Sequence, residues 1–212
     1  MCRWIAYTGL PVTPEQYLFD EKYSLIEQSQ RARKTDVTVN GDGFGFGWYD
    51  RKPSPGLFRD VLPAWSDENL RSLTHQISPG TFMAHVRAAT DTPTNRTNCH
   101  PFCCDNLLFM HNGQVGGYLQ VRRELERWLE DRFYRHRQGS TDSEILFLLL
   151  LQFGAVSGFK QAVTRLIFDI EALMTAHRIG EPFRFSAALS DGQTLHVVRY
   201  ASDGRAPSVY FK

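Results

Sequence analysis

The sequence has no long hydrophobic run, no surplus of charge of either sign and no export signal at its start. Its longest apolar stretch, 145–151, covers about two helical turns, whereas a membrane-spanning helix needs roughly 20 apolar residues. No basic segment followed by a long apolar stretch occurs near the N-terminus, so no secretion signal is predicted. With 24 Lys and Arg against 23 Asp and Glu, the net charge is +1, which provides no field to attract nucleic acid or an anionic membrane. We therefore expect a cytoplasmic protein with neither a membrane nor a nucleic-acid partner.

Cysteine is scarce and clustered. Of the 4 cysteines, Cys99, Cys103 and Cys104 fall within one short segment, so the spaced pairs typical of a disulfide framework are missing. A reducing compartment with free thiols is the expected setting. These cysteines and His111 are soft metal ligands, but they lack the two spaced pairs of a zinc site. A metal or redox role is therefore the less favoured alternative, and neither a metal ion nor a cofactor is predicted.

Strands are predicted near both ends of the chain and helices between them. Strands are expected where apolar residues alternate between turn signals, and helices where apolar residues recur every three or four positions. The predicted strands are 2–8, 44–49, 81–87, 107–111, 185–189 and 195–200, and the predicted helices are 24–33, 67–76 (capped by Ser66), 118–133, 143–153 and 159–176. In a chain long enough for a substantial core, this order predicts an α+β fold with layered packing.

Glycine occupies every second position from Gly41 to Gly47. In a strand these glycines share one face, which is therefore bare, so something must approach that backbone closely. Two explanations remain open: a second sheet or a ligand. A dinucleotide-binding loop does not fit, because the third glycine comes one residue early and no clear helix follows.

Cys2 directly follows the initiator methionine. Removal of Met1, which the small side chain of Cys2 permits, would leave one residue carrying both a thiol and a free α-amine. A thiol is a weak nucleophile until it loses its proton, and an α-amine with an ordinary pKa of about 7.7–8.0 can take that proton near neutral pH. The alternative is a small hydrophobic residue in a first strand.

Three further segments place polar groups where strands end or a helix begins. Arg87 stands near the end of a predicted strand, where it can hold a carboxylate through two parallel bonds or join a surface salt bridge. Asn112 and Gly113 follow an apolar strand and can form either an oxyanion hole with two converging donors or a plain Asn-Gly turn. Asp142 falls in the first turn of a predicted helix, where it can reach a ligand ammonium, although the segment can also be a simple helix cap.

Taken in order, these segments resemble the class II glutamine amidotransferases of the N-terminal-nucleophile hydrolase superfamily. The matching motifs are the initial Met-Cys, Asp-Gly-Phe-Gly, His-Val-Arg-Ala-Ala-Thr, Asn-Cys-His-Pro-Phe, His-Asn-Gly and Ser-Thr-Asp-Ser-Glu, which span positions 2–144. Each motif is weak alone, and their order makes the set specific. The chain is most similar to the short, stand-alone members, which include uncharacterised bacterial proteins and the γ-glutamyl amidohydrolase of ergothioneine biosynthesis.

The resemblance implies a four-layer αββα sandwich and a role for each matching residue. Cys2 would be the nucleophile, with its own α-amine as the base. Asn112 and the Gly113 N–H would form the oxyanion hole. Arg87 would bind the α-carboxylate of the substrate, and Asp142 would bind its α-ammonium.

Two further candidates for substrate binding, Thr90 and His100, fall within the matching motifs. A single domain over 2–212 is expected, because the roughly 70 residues after position 144 leave no room for a synthase domain. The expected reaction is hydrolysis of the side-chain amide of glutamine or of a γ-glutamyl amide, and a synthase that accepts the ammonia would be a separate chain. The alternative is a catalytically silent binding or regulatory module on the same fold.

Overall fold

The computed structural model describes residues 2–30, 40–88 and 93–211, which form two four-stranded sheets and six α-helices. The first sheet contains β1 (Arg3–Thr8), β2 (Phe44–Tyr49), β3 (Gly56–Asp60) and β4 (Thr81–Val86), and the second contains β5 (Phe102–Cys104), β6 (Leu107–Gln114), β7 (Arg184–Ser190) and β8 (Leu195–Ala201). The helices are α1 (Leu25–Gln30), α2 (Glu68–Gln76), α3 (Tyr118–Trp128), α4 (Asp131–Tyr134), α5 (Asp142–Gln152) and α6 (Phe159–Ala176). Within these described ranges, none of the helices has the length and apolar character required to span a bilayer.

The first sheet has the strand order β1-β4-β2-β3, and each of its pairings is antiparallel. Successive side chains point to opposite faces of a strand, so one face of this sheet is apolar and forms a core. That core contains Phe44, Phe46, Phe82, Ala84 and Val86 from the sheet, and Leu18, Leu25, Ile26 and Leu70 from the segments that cover it, among them α1 and α2.

The other face of β2 is bare, as the glycine pattern predicts, and it lies against β6 and the residues just before β5. A Cβ atom at Gly47 would lie 2.7 Å from Leu108 Cδ1 and 2.9 Å from Pro101 Cγ. A Cβ atom at Gly45 would collide with the carbonyl oxygen of His100. Only glycine allows such a close approach. Of the two explanations for the glycines, close packing between sheets is confirmed.

The second sheet has the order β5-β6-β7-β8, and residues 107–111 of β6 are buried. Helix α5 is buried along most of its length, from Ser143 to Leu150. Its sequence is apolar on all sides, which is typical of a helix enclosed by other elements. It packs against α3, α4 and α6.

Contacts between residues divide the chain into two compact units. The first contains the residues up to Met110 together with Ala188–His196, and the second contains His111–Ala187 and the residues from Val197 onward. The division passes within β6, β7 and β8, so both units include residues of the second sheet.

Some elements differ from the prediction in number or length. The short strands β3 and β5 were not expected, because each forms by pairing with a neighbour, β2 and β6 respectively, rather than from a strong local pattern. Strand β6 extends beyond the predicted 107–111 to Gln114. Helix α1 covers most of the predicted 24–33, and the last three of those positions lie outside the described residues.

Two helices also differ from the prediction, one in its cap and the other in its continuity. The Asp67 side chain accepts a hydrogen bond at 2.7 Å from a backbone N–H in the first turn of α2, so Asp67 rather than Ser66 caps that helix. The predicted helix 118–133 is divided into α3 and α4, because Leu129 and Glu130 adopt extended backbone angles.

Candidate active site

Cys2 directly precedes β1 and lies beside the end of β4. Because β1 and β4 are antiparallel with Arg3 opposite Val86, residue 2 comes next to residues 87 and 88. The backbone N–H of Ala88 donates to Cys2 Sγ at 3.4 Å, and Sγ lies 3.6 Å from the carbonyl oxygen of Ala88. Burial raises the pKa of Cys2 above its ordinary value, while the Ala88 hydrogen bond and the charge of Arg87 oppose that rise. The resting side chain is therefore a protonated thiol that needs a base.

Arg87 is buried where β4 ends, with only 4% of the residue exposed. Its backbone N–H donates to the carbonyl oxygen of Gly43 at 2.8 Å, and its own carbonyl accepts from the N–H of Asp42 at 3.1 Å. Its Nη1 and Nη2 atoms each lie 3.4 Å from a carbonyl oxygen, of Asp42 and Pro93 respectively. Because the residue is buried, the alternative of a surface salt bridge is wrong. A buried guanidinium close to the Cys2 thiol is a candidate site for a carboxylate.

Asn112 and Gly113 lie within β6, so the alternative of a plain Asn-Gly turn is wrong. A Cβ atom at Gly113 would collide with the carbonyl oxygen of Arg184 in β7, which explains the need for glycine. The preceding residue, His111, lies with Nδ1 2.8 Å from Ser143 Oγ and Nε2 3.1 Å from the Arg184 carbonyl oxygen. This ring ties β6 to both β7 and the start of α5.

Asp142 is the first residue of α5, and Thr141 caps the helix by accepting from the N–H of Glu144 at 3.2 Å. The capping prediction for this segment is therefore confirmed. Asp142 Oδ2 accepts from the N–H of Val115 at 2.8 Å, and Oδ1 accepts from the N–H of Ser143 at 2.7 Å. A carboxylate offers about four acceptor positions, so these bonds orient Asp142 and leave acceptor capacity for a ligand ammonium.

His100 and Thr90 are less informative. His100 is buried, with its ring centroid 4.3 Å from that of His85 and 4.5 Å from that of Phe102. This packing is that of a core aromatic ring, and a role of His100 in substrate binding stays a prediction. Thr90 lies outside the described residues.

The predicted site residues form two local groups. The first unit brings together Cys2 and Arg87, and the second brings together Asn112, Gly113 and Asp142. Across residues 2–30, 40–88 and 93–211, no three His, Cys, Asp or Glu side chains lie close enough together to hold a metal ion.

Two groups at the site were not anticipated from the sequence. The N–H of Ala88, which donates to the Cys2 sulfur, is a backbone group that no residue type in the sequence marks, and the contact depends on strand pairing. The hydrogen bond between Ser143 and His111 joins residues 32 positions apart. The sequence indicated only that Ser143 lies in the first turn of a helix.

Comparison with known proteins identifies the family. A profile of the class-II glutamine amidotransferases matches residues 18–204, which is most of the chain. The chain belongs to the class II glutamine amidotransferases. As a member of this family, it is an enzyme that acts on the carbon–nitrogen bond of an amide.

Three similar proteins support the assignment. The chain is 33% identical over 242 residues to a Saccharomyces cerevisiae protein named probable glutamine amidotransferase DUG3, which covers 100% of this chain and 67% of that protein. It is 30% identical over 117 residues to the gamma-glutamyl-hercynylcysteine sulfoxide hydrolase of Mycolicibacterium smegmatis, covering 54% of this chain and 52% of that protein. A solved glutamine aminotransferase class-II domain protein from Silicibacter pomeroyi has a TM-score of 0.77 at 43% identity, covering 99% of this chain and 82% of that one. This similarity confirms the predicted α+β fold of the N-terminal-nucleophile hydrolase type.

Proposed function

We propose that this class II glutamine amidotransferase hydrolyses the side-chain amide of glutamine or of a γ-glutamyl compound, with Cys2 as the nucleophile. The observation that carries the proposal is the setting of the Cys2 thiol. It is half-buried just before β1, with Sγ 3.4 Å from the Ala88 N–H donor and close enough to Arg87 for that positive charge to lower its pKa. A hydrogen-bond donor and a cation both favour the thiolate, which is the nucleophilic form.

The proposed substrate carries both charges of an amino-acid head group. Arg87 would bind its α-carboxylate, and Asp142 would bind its α-ammonium. Both contacts lie away from the scissile amide and serve to position it. A γ-glutamyl compound is the substrate in the name of the mycobacterial relative, which supports this class of substrate.

The steps use groups of the chain and one water molecule. After removal of Met1, the α-amine of Cys2 takes the thiol proton, and the thiolate attacks the amide carbon to form a C–S bond. Negative charge develops on the amide oxygen, where Asn112 and the Gly113 N–H donate hydrogen bonds; losing one such donor costs about 10²–10³ in rate. The C–N bond then breaks as the α-ammonium returns its proton to the leaving amine. Water, deprotonated by the same α-amine, hydrolyses the thioester and regenerates the thiol.

The setting and the partner follow from this chemistry. Cys2 must stay a thiol to act, so we propose a reducing compartment such as the cytoplasm; the four cysteines are all free thiols. Where ammonia is passed on rather than released, a synthase on a separate chain would accept it.

Intact-mass measurement of the untagged protein tests the proposal. The intact mass is measured before and after incubation with 6-diazo-5-oxo-norleucine, an electrophilic glutamine analogue. We expect a mass that lacks Met1 and a single adduct that maps to Cys2. Cys2→Ala should abolish both the adduct and the turnover of glutamine and γ-glutamyl amides while leaving the fold intact.

Cys103→Ala is the matched control, because Cys103 is the exposed thiol and its removal should leave the Cys2 adduct unchanged. Loss of Met1 without an adduct would favour a γ-glutamyl substrate larger than glutamine. Retained Met1 would favour the catalytically silent module. Undiminished turnover in Cys2→Ala would rule out Cys2 as the nucleophile.

A further inference from the structure

His111 and Ser143 form a buried link between β6 and the start of α5. The two residues are 1% and 6% exposed. Nδ1 of His111 lies 2.8 Å from Ser143 Oγ, and Nε2 lies 3.1 Å from the carbonyl oxygen of Arg184. Both ring nitrogens are therefore engaged, one with α5 and the other with β7.

The partners of His111 determine where its protons lie. A carbonyl oxygen only accepts, so Nε2 carries the proton that is donated to Arg184. Burial lowers the pKa of His111 below its ordinary value, although the charge of Asp142 opposes this, so the ring is neutral near pH 7 and Nδ1 is an acceptor. The hydroxyl of Ser143 therefore donates to Nδ1, and rotation of the ring would break two hydrogen bonds.

A second link joins the same strand and helix a few residues further along the chain. The N–H of Val115 donates to Asp142 Oδ2 at 2.8 Å. The other oxygen, Oδ1, accepts from the N–H of Ser143 at 2.7 Å and lies 3.3 Å from Ser143 Oγ. The segment that runs from His111 to Val115 is thus fastened at both ends to the first two residues of α5, and positions 112 and 113 lie between the two links.

We propose that His111 and Ser143 are positioning residues that hold the oxyanion donors, Asn112 and Gly113, at a set distance from Asp142. This inference rests on the proposed function, which assigns the oxyanion role to Asn112 and Gly113 and the binding of the ammonium to Asp142. When Asp142 binds the ammonium of the substrate, the covalent bonds of the substrate fix the distance between Asp142 and the γ-amide. Donors displaced by about 1 Å would then miss the developing oxyanion, and a misplacement of that size costs about 10²-fold in rate. Neither His111 nor Ser143 needs to touch the substrate.

Three variants test the link: Ser143→Ala, His111→Gln and the matched control Ser186→Ala. Ser186 is a buried serine of β7, 1% exposed, whose Oγ has no hydrogen-bond partner among the described residues. Its substitution makes the same chemical change as Ser143→Ala without removing a hydrogen bond. The assays are steady-state hydrolysis of L-glutamine and of L-γ-glutamyl-p-nitroanilide, and the Kd of L-glutamate, which reports binding of the head group.

Ser143→Ala and His111→Gln should lower kcat by about 10- to 100-fold. The Kd of L-glutamate should change by less than roughly threefold, because the oxyanion contact is made only in the transition state and Asp142 keeps its bonds to two backbone N–H groups. Ser186→Ala should keep the wild-type kcat. Thermal unfolding shows whether each variant is folded, and should His111→Gln fail to fold, Ser143→Ala decides alone because it removes a single oxygen atom.

The outcomes separate this inference from the proposed function. A kcat of Ser143→Ala within about twofold of the wild type would overturn the inference and leave the proposed function standing. An equal fall in kcat for Ser186→Ala, or a loss of L-glutamate binding in Ser143→Ala, would also overturn it, because the effect would then be general or act on the head group. Full activity of Cys2→Ala would overturn the proposed function, and this inference with it.

Discussion

Gly45 and Gly47 should be essential to stability, because neighbouring segments leave no room for a side chain at either position. A Cβ atom at position 47 would lie 2.7 Å from Leu108 Cδ1, where ordinary contact begins at 3.4 Å. Leu108 is fully buried, so its side chain cannot move into solvent to relieve the overlap. Overpacking of this kind in a core typically costs about 1–3 kcal/mol, which is the loss in free energy of unfolding that we expect for Gly47→Ala.

Gly45→Ala should be the more damaging of the two substitutions. Its Cβ atom would collide with the carbonyl oxygen of His100, which is a backbone atom. A side chain can change rotamer to relieve a contact, whereas a carbonyl group moves only with the chain that carries it. We therefore expect a loss at or above the upper end of the same range of about 1–3 kcal/mol.

Urea denaturation followed by tryptophan fluorescence measures both losses. Trp48, next to Gly47 in β2, stacks on Phe46 at 5.3 Å and reports on this part of the sheet. Gly180→Ala is the matched control: an added Cβ there meets no described atom within 4 Å. The control should be neutral or more stable by up to about 1 kcal/mol, through lower entropy of the unfolded chain. If Gly45→Ala and Gly47→Ala were as stable as Gly180→Ala, the packing explanation of these glycines would be refuted.

The cap of α2, the buried ring of His111 and the guanidinium of Arg87 provide three further tests. Asp67→Ala should lower the free energy of unfolding by about 1 kcal/mol, and Ser66→Ala by much less; equal losses in urea denaturation would contradict the cap assignment. Burial lowers the pKa of His111 below 6.5, so the unfolded chain binds a proton that the native protein does not. The contribution of His111 to the free energy of unfolding should therefore be complete above pH 6.5 and fall as the pH drops towards the native pKa. His111→Gln should show a shallower pH dependence of stability in urea titrations, and an unchanged slope would contradict this. Arg87→Lys should weaken L-glutamate binding by about tenfold in calorimetry, because an ammonium cannot make two parallel bonds to a carboxylate, and an unchanged Kd would exclude the carboxylate role.

Local patterns predicted several elements well. The helix over 159–176 has the predicted bounds, since its apolar residues recur at helical spacing along its whole length. The alternating glycines indicated a bare strand face, and the segment before α5 indicated a helix cap, which Thr141 provides. These features depend on residues within a few positions of each other, which is the range over which a sequence pattern carries information.

Other elements depend on distant partners and were missed. Strand β3 exists through its pairing with β2, and β5 through its pairing with β6. The break between α3 and α4 falls in a segment whose apolar spacing continues without interruption, and both helices pack against the buried α5. Tertiary contacts override weak local preferences of this kind.

By itself, the sequence determined the chemical groups available to this amidotransferase and the family to which the order of its motifs belongs. Only the tertiary structure decided which of those groups meet. The Ala88 N–H reaches the Cys2 sulfur across 86 positions of the chain, and Ser143 reaches His111 across 32. Strand pairing and helix packing create these contacts, and a hydrogen bond requires its two atoms to lie within about 3 Å of each other. A sequence records the separation of two residues along the chain, whereas catalysis depends on their distance in space.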